Sequence, residues 1–239
     1  MKDRICVGVV GAGIISDIYL KNMTTRFGNL HVKSLSARRL DKAVEKASKY
    51  GLIGCSVDDM MSDPEIELIV NLTPVSFHEE IIRKALDAGK HIYTEKTMTD
   101  RFDSAVELCK TADRKGLWLG CAPDTFLGSS LQSARRAIDQ GILGDITGFA
   151  AIVNRNNDML LSHFPIGRFP GAGICNERGL GPSEMADALQ NSRQTFRTSK
   201  ELGLHVLEVL QGMLDSGTDQ AIHSMVTTCS KPEPFYTLH

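Results

Sequence analysis

The residues best placed to do chemistry lie close to the N-terminus. Gly11, Ala12, Gly13, Ile14, Ile15 and Ser16 form a G-x-G-x-x-S turn within VGVVGAGIIS. Such a turn binds an anion when it joins a strand to a helix. Its first glycine permits the tight reversal and its second lets the backbone approach a pyrophosphate. The opening helix adds free N–H groups and partial positive charge. Gly11, Gly13, Ile14 and Ile15 are therefore the candidate phosphate-binding residues. Ser16 takes the place of a third glycine and is small enough for close helix–strand packing. The pattern is weak alone and gains weight from a strand before it and a helix after it; the alternative is a glycine turn without a ligand. About 20 residues further on, an acid normally grips the ribose of NAD. Here the stretch reads Ser36-Ala37-Arg38-Arg39, with no carboxylate before Asp41. An acid repels a 2′-phosphate, whereas a serine and two arginines attract it. Ala37 and Arg38 are thus cofactor candidates, and NADP is expected over NAD, with NAD the second choice. The bland alternative makes Arg38 and Arg39 solvated residues at a helix start.

The elements that must position these residues are legible in the first half. Arg4 to Val10 is a compact β-run, and Ile18 to Phe27 reads as a helix. Leu30 to Ser36 is a strand. Leu40, Ala43, Val44 and Ala47 recur at helical spacing, and Gly51 is placed to end that helix in a left-handed residue. Glu67 to Leu72 is apolar enough for a strand buried on both faces. Ser76 and Glu79 form a candidate capping box for a helix through Phe77, Ile81 and Ala85, closed by Gly89. His91 to Thr94 is a strand. Phe102, Ala105, Val106, Cys109 and Ala112 mark a helix face, and Leu117 to Cys121 is the last strand of the series. This alternation predicts a parallel, doubly wound sheet with right-handed crossovers, a Rossmann domain over residues 1–121.

The second half, residues 122–239, is expected to form a smaller, shortened α/β domain. Leu131 to Ile138 is helical and Ile146 to Val153 reads as a strand. From Asn154 to Pro182 no period survives, which marks a functional loop or a misassigned one. Helices return at Ser183 to Leu189 and Ser199 to Leu214, the latter opened by a Thr198–Glu201 capping box with Leu202, Val206, Val209 and Met213 as its buried stripe. His163 is the one histidine of the irregular stretch, either an acid–base group or a solvated loop residue.

Composition narrows the function classes. The 239-residue chain carries 27 basic and 29 acidic residues for a net charge of −2, so no basic excess draws it to nucleic acid. No apolar run approaches the roughly 18 residues of a membrane span, and MKDRICVGVV enters a strand without a cleavage site, so no secretory signal is expected. The six cysteines are scattered with no C-x-x-C pair, which suits a reducing cytoplasm and argues against zinc or another metal site.

Four segments in order resemble the Gfo/Idh/MocA oxidoreductases. They are VGVVGAGIISDIYLKNM, VNLTPVSFHEEIIRKALDAGKHIYTEK, LGCAPDTFLGSSLQSARRAIDQGILGDI and RGLGPSEMADAL with ELGLHVLEVLQGML. The resemblance covers most of the chain. It implies a Rossmann domain coupled to a second α/β domain, and hydride transfer between a nicotinamide cofactor and a sugar, inositol or related polyol. The family's E-K-P motif falls on Glu95-Lys96-Thr97, with threonine in place of proline. Lys96 would then hydrogen-bond the reacting hydroxyl and help move its proton; its structural alternative is a surface salt bridge with Glu95. Asn71, Thr73, Pro74 and His78 resemble the loop against the nicotinamide, although His78 equally suits a solvated first helical turn.

The resemblance also implies an aspartate–glycine turn followed by a histidine. PGAGICNERG resembles the approach to it, placing Glu177 at the aspartate, Gly179 at the glycine and Gly181 at the histidine. Glu177 either orients substrate or faces water. The segment that follows resembles the part found after the sheet, so several strands of the second domain are missing. An unpaired strand at Ile146 to Val153 would leave ladder groups unsatisfied. Three arrangements answer this: a rearranged minimal sheet, strands borrowed from a second copy in a homo-oligomer built through the C-terminal domain, or a deletion product. The competing function is accordingly a catalytically impaired nucleotide-binding protein, serving as a sensor or partner subunit.

Overall fold

The computed structural model describes residues 4–148, 178–220 and 222–235. Strands β1 (Ile5–Val10), β2 (Leu30–Ser36), β3 (Ile53–Cys55), β4 (Leu68–Asn71), β5 (His91–Thr94) and β6 (Leu119–Cys121) form one sheet in the order β3-β2-β1-β4-β5-β6. Every pairing is parallel. Register places Ser36 beside Val10, Val10 beside Asn71, Asn71 beside Thr94 and Thr94 beside Cys121. The residues that follow each strand therefore share one rim. Strand order reverses between β1 and β4, which opens a crevice at that rim where open α/β sheets take ligands. The edge strand β3 has no apolar run to announce it, being three residues long and never fully buried.

Helices cover both faces, as the continuous burial of β4 and β6 requires. On one side, α1 (Ile14–Thr25) and α2 (Leu40–Lys49) pack Tyr19, Leu20, Met23 and Ala47 against Val7, Val9, Leu68 and Val70. On the other, α3 (Val57–Ser62), α4 (His78–Asp87) and α5 (Phe102–Lys115) pack Met60, Ile82, Leu86, Ala105 and Leu108 against Ile69 and Ile92. Each fully buried Leu or Ile contributes about 1.5–3 kcal/mol. Gly51, at φ +68°, and Gly89, at φ +70°, follow α2 and α4 in the left-handed conformation. The Ser76–Glu79 box does not form. Val75–Phe77 make a turn of 3₁₀-helix, α4 starts at His78, and Glu79 instead accepts from Arg83 at 2.9 Å.

After the exposed helix α6 (Ser129–Asp139), α7 (Leu180–Gln190) and α8 (Lys200–Asp219) return to this same sheet. Met185 and Ala186 of α7 join Tyr93 and Ala122 in one core cluster, while Leu207 of α8 joins Met98 and Cys121 in the other. The buried line of α8 runs through Gly203, Leu207 and Gly212, and Met213 of the expected stripe is 67 % exposed. The cause is close approach: a Cβ at Gly203 would stand 2.4 Å from the Cys121 Cβ, so the helix docks on its glycine face. Its N-cap is Ser199, and the preceding Thr198 lends its carbonyl to the Cys121 amide at 2.9 Å. Of the expected strand from Ile146, residues 146–148 carry no strand structure and 149–153 lie outside the described residues. No helix among the described residues is long and apolar enough to cross a membrane.

The chain after α8 is held by a carboxylate. Glu208 accepts from the Val226 amide at 2.6 Å, the Thr227 amide at 2.7 Å, the Thr227 hydroxyl, and His223 at 3.4 Å. Burial opposes its charge, but these bonds outweigh burial and hold the carboxyl at about 2. A depressed folded-state value means the tether is complete above the ordinary carboxylate range and lost as pH falls towards 2. Acidification through that window is expected to raise amide exchange at Val226 and Thr227 before the central strands respond. Uniform exchange across the window would show that the carboxylate does not hold this segment.

Candidate functional site

The glycine turn lies at the crevice. Gly11 follows β1 with φ +117°, donates its amide to the Ser36 carbonyl at 2.8 Å, and leaves no room for a Cβ, which would meet Leu72 backbone atoms at 2.6 Å. Gly13 is different. Its φ of −72° suits any residue, and a Cβ there would meet nothing within 4 Å. The glycine at this position keeps open space in front of the helix. Ile14 and Ile15 begin α1, where the first amides have no intrahelical acceptor. These features fit a pyrophosphate: bare N–H groups, the positive end of a helix and open space in front of it.

At the end of β2, Ser36 is fully buried with its carbonyl taken by Gly11, so it serves as scaffold. Ala37 is half-buried and Arg38 is exposed. Arg39 grips Asp41 in a bidentate pair at 2.5 and 3.2 Å. The expected pair of phosphate-seeking arginines therefore reduces to Arg38, which has no ion-pair partner among the described residues.

Across the crevice, the loops after β4 and β5 are tied together by polar side chains. Asn71 is fully buried; its amide donates to Thr94 Oγ1 at 3.1 Å, and its carbonyl oxygen accepts from the Thr73 amide at 3.2 Å and hydroxyl at 2.7 Å. Thr73 and Pro74 form the lip, half-buried and exposed respectively. His78 is buried, not solvated. Its Nδ1 lies 2.6 Å from the Thr97 carbonyl and its Nε2 lies 2.8 Å from that of Thr73. The ring is occupied by these two loops, which makes it a positioning residue for both.

Lys96 stands just beyond β5, exposed, with no ion-pair partner among the described residues, on a cis Lys96–Thr97 peptide. It does not pair with Glu95. Glu95 turns inward, where Oε1 accepts from the Tyr19 hydroxyl at 2.8 Å and Arg178 Nη1 at 2.6 Å, and Oε2 accepts from the Lys96 amide at 3.0 Å. Burial and the neighbouring acids Asp124 and Glu95 push Tyr19 well above its ordinary value, so it stays a donor. Tyr19 and Arg178 thus fix the residue that fixes the lysine backbone. Sequence reasoning missed both, because Tyr19 reaches Glu95 across 76 residues and Arg178 across 83. Replacing Arg178 by Met should leave the Glu95 carboxylate buried with weaker partners and lower stability by about 2–3 kcal/mol. A denaturant midpoint equal to wild type would show that the pair holds nothing.

The turn into α7 is pinned by a second acid. Asp124, fully buried, accepts the Gly179 and Gly181 amides at 3.0 and 3.2 Å, and its other oxygen lies 3.8 Å from Arg178. Burial pushes its carboxyl above the ordinary range. A Cβ at Gly181 would stand 2.1 Å from the Tyr93 hydroxyl, so no side chain fits there in this packing. The expected residues His163 and Glu177 lie outside the described residues.

Comparison with known proteins bears on the fold that carries this site. Residues 5–122 match the family model GFO_IDH_MocA, described as an oxidoreductase family with an NAD-binding Rossmann fold. An oxidoreductase of Schizosaccharomyces pombe is 30 % identical over 154 residues, 62 % of this chain and 41 % of that protein. The NADP-dependent scyllo-inositol 2-dehydrogenase of Bacillus subtilis is 25 % identical over 153 residues, 64 % of this chain and 42 % of its own. Among solved structures, scyllo-inositol dehydrogenase from Lactobacillus casei with bound NAD(H) and scyllo-inositol superposes with a TM-score of 0.55 at 24 % identity, over 60 % of this chain and 43 % of that one. The chain spans less than half the length of these relatives.

Proposed function

Through residues 5–122 the chain belongs to the Gfo/Idh/MocA oxidoreductase family, and from that premise we propose that it binds NADP and transfers hydride between the cofactor and a hydroxyl-bearing carbon of a sugar, inositol or related polyol. The observation that carries the reading is the open space before Gly13, at the rim where β1 ends and where Lys96, exposed and without an ion-pair partner among the described residues, follows β5. When bound, the nicotinamide supplies the carbon that gives or takes hydride. The chain's own residues do the rest. The amides of Ile14 and Ile15 receive the pyrophosphate, and Thr73 and Pro74 line the nicotinamide side. Lys96 holds the reacting oxygen: its ammonium donates a proton to a carbonyl being reduced, and its neutral amine takes one from a hydroxyl being oxidised. The unpaired thiols at Cys6, Cys55, Cys109, Cys121 and Cys229 suit a reducing cytoplasm.

A second reading, nucleotide binding without turnover, is favoured by one specific feature. Gly181 stands where the resemblance places a histidine, and the Tyr93 hydroxyl fills the space such a side chain needs. One experiment separates the two. Purified protein is titrated with NADPH and NADH, then assayed for substrate-dependent change of nicotinamide absorbance across sugars, inositols and polyols. Turnover supports the enzyme, and binding without turnover leaves the second reading. A protein with affinity for neither dinucleotide sinks both.

The choice of NADP rests on Arg38. Arg38→Asp places a carboxylate where the 2′-phosphate would lie, and a change from attraction to repulsion of this kind shifts preference towards NAD by about tenfold or more. Equal NADP affinity in the variant would remove the phosphate argument.

A further inference from the structure

Lys46 reaches from α2 to the mouth of the glycine turn. Its ammonium donates to the Gly13 carbonyl at 3.0 Å, to Ser16 Oγ at 3.1 Å and to Asp17 Oδ2 at 2.9 Å. A lysine has three N–H donors, and all are used. The side chain is only 16 % exposed, so this is no loose surface pair. Ser16 Oγ in turn donates to the Gly13 carbonyl at 2.6 Å, and the Ser16 amide reaches the same oxygen at 3.1 Å. Three donors thus converge on one carbonyl. The Gly13–Ile14 peptide is planar, so fixing its C=O on the helix side aims the Ile14 N–H the opposite way, towards the open space beside Gly13.

Charge at the same turn acts in the same direction. Asp17 lies in the first turn of α1, where an acid suits the helix but repels an incoming anion. Both of its oxygens are tied off, Oδ2 by Lys46 and Oδ1 by the Tyr50 hydroxyl at 3.1 Å. Burial, with the Asp17 charge beside it, pushes Tyr50 up to about 12, so it remains a donor. The serine in the third-glycine position also gains a reason, since its hydroxyl accepts the ammonium's third bond where glycine has no side-chain acceptor.

We infer that Lys46, with Ser16, is a clamp that presets the Gly13–Ile14 peptide and neutralises Asp17, and so sets the affinity for the pyrophosphate of a dinucleotide. This rests on the proposed cofactor binding. It predicts a residue that affects both dinucleotides alike, unlike Arg38.

The test compares wild type, Lys46→Met and Lys46→Gln by calorimetric titration with NADPH and with NADH, and by amide exchange at residues 14–17 in ligand-free protein. Lys46→Met is expected to weaken both dinucleotides by about tenfold with their ratio unchanged, and Lys46→Gln, which keeps a donor without charge, by about threefold. Exchange in the first turn of α1 should quicken in both variants. Binding within twofold of wild type, or a loss confined to NADPH, overturns the affinity role. Unchanged exchange overturns the clamp itself, whatever the ligand data. Failure of the cofactor reading is seen separately, as wild-type protein that binds neither dinucleotide while exchange still responds to Lys46.

Discussion

Gly11→Ala is expected to lose about 2–6 kcal/mol of folding stability and its dinucleotide affinity with it, the sum of backbone strain at a glycine-only conformation and an overpacked contact. Two independent features of the turn lead there. A φ of +117° lies outside what an L side chain adopts at ease. The added Cβ would also press on backbone C and O atoms of Leu72 at 2.6 Å, and Leu72 directly follows the central strand β4, with its amide bonded to the Val10 carbonyl. Backbone cannot rotate aside as a side chain can, so β1 and β4 must part or the turn must rebuild. Chemical denaturation reads the effect, with Gly13→Ala as the control. That methyl group projects into open space, so the control should fold with the wild-type midpoint and fail only in binding. A Gly11→Ala midpoint equal to wild type would show that the turn does not sit against Leu72.

Lys96→Ala is expected to leave dinucleotide binding intact and to reduce turnover by about 10²–10⁴, the usual worth of a positioned proton donor or acceptor. Its ammonium makes no ion pair among the described residues, so truncation should remove no structural contact. The loop that carries it is held instead through its backbone, by Glu95 and the partners of Glu95. Folding and binding should therefore report normal values while the chemical step fails. Substrate-dependent absorbance change at saturating cofactor is the measurement. Turnover within a few-fold of wild type would take the lysine out of the mechanism.

Much of the Rossmann unit could be read from the chain because its signals are local. Buried strands are short apolar runs, and Gly51 and Gly89 stop helices through their own backbone freedom. The glycine turn announces itself by spacing alone. Where tertiary contact decides, the reading failed. The apolar stripe of α8 pointed to Met213, but Gly203 fits against Cys121 as no larger residue can, and the helix turned accordingly. Ser76 and Glu79 matched a capping box, yet the helix starts one residue later than that box requires, with His78 drawn in between Thr73 and Thr97. Arg38 and Arg39 look equivalent in sequence, and only the Asp41 contact separates them. Tyr19, Lys46 and Arg178 carry no pattern at all, since each acts on a partner 29 to 83 residues away.

The buried imidazole of His78 has a mechanical consequence. With a carbonyl against each of its nitrogens, the buried ring sits between two rim segments and packs against both. The Thr73 lip and the Thr97 segment behind Lys96 are therefore joined through a single side chain.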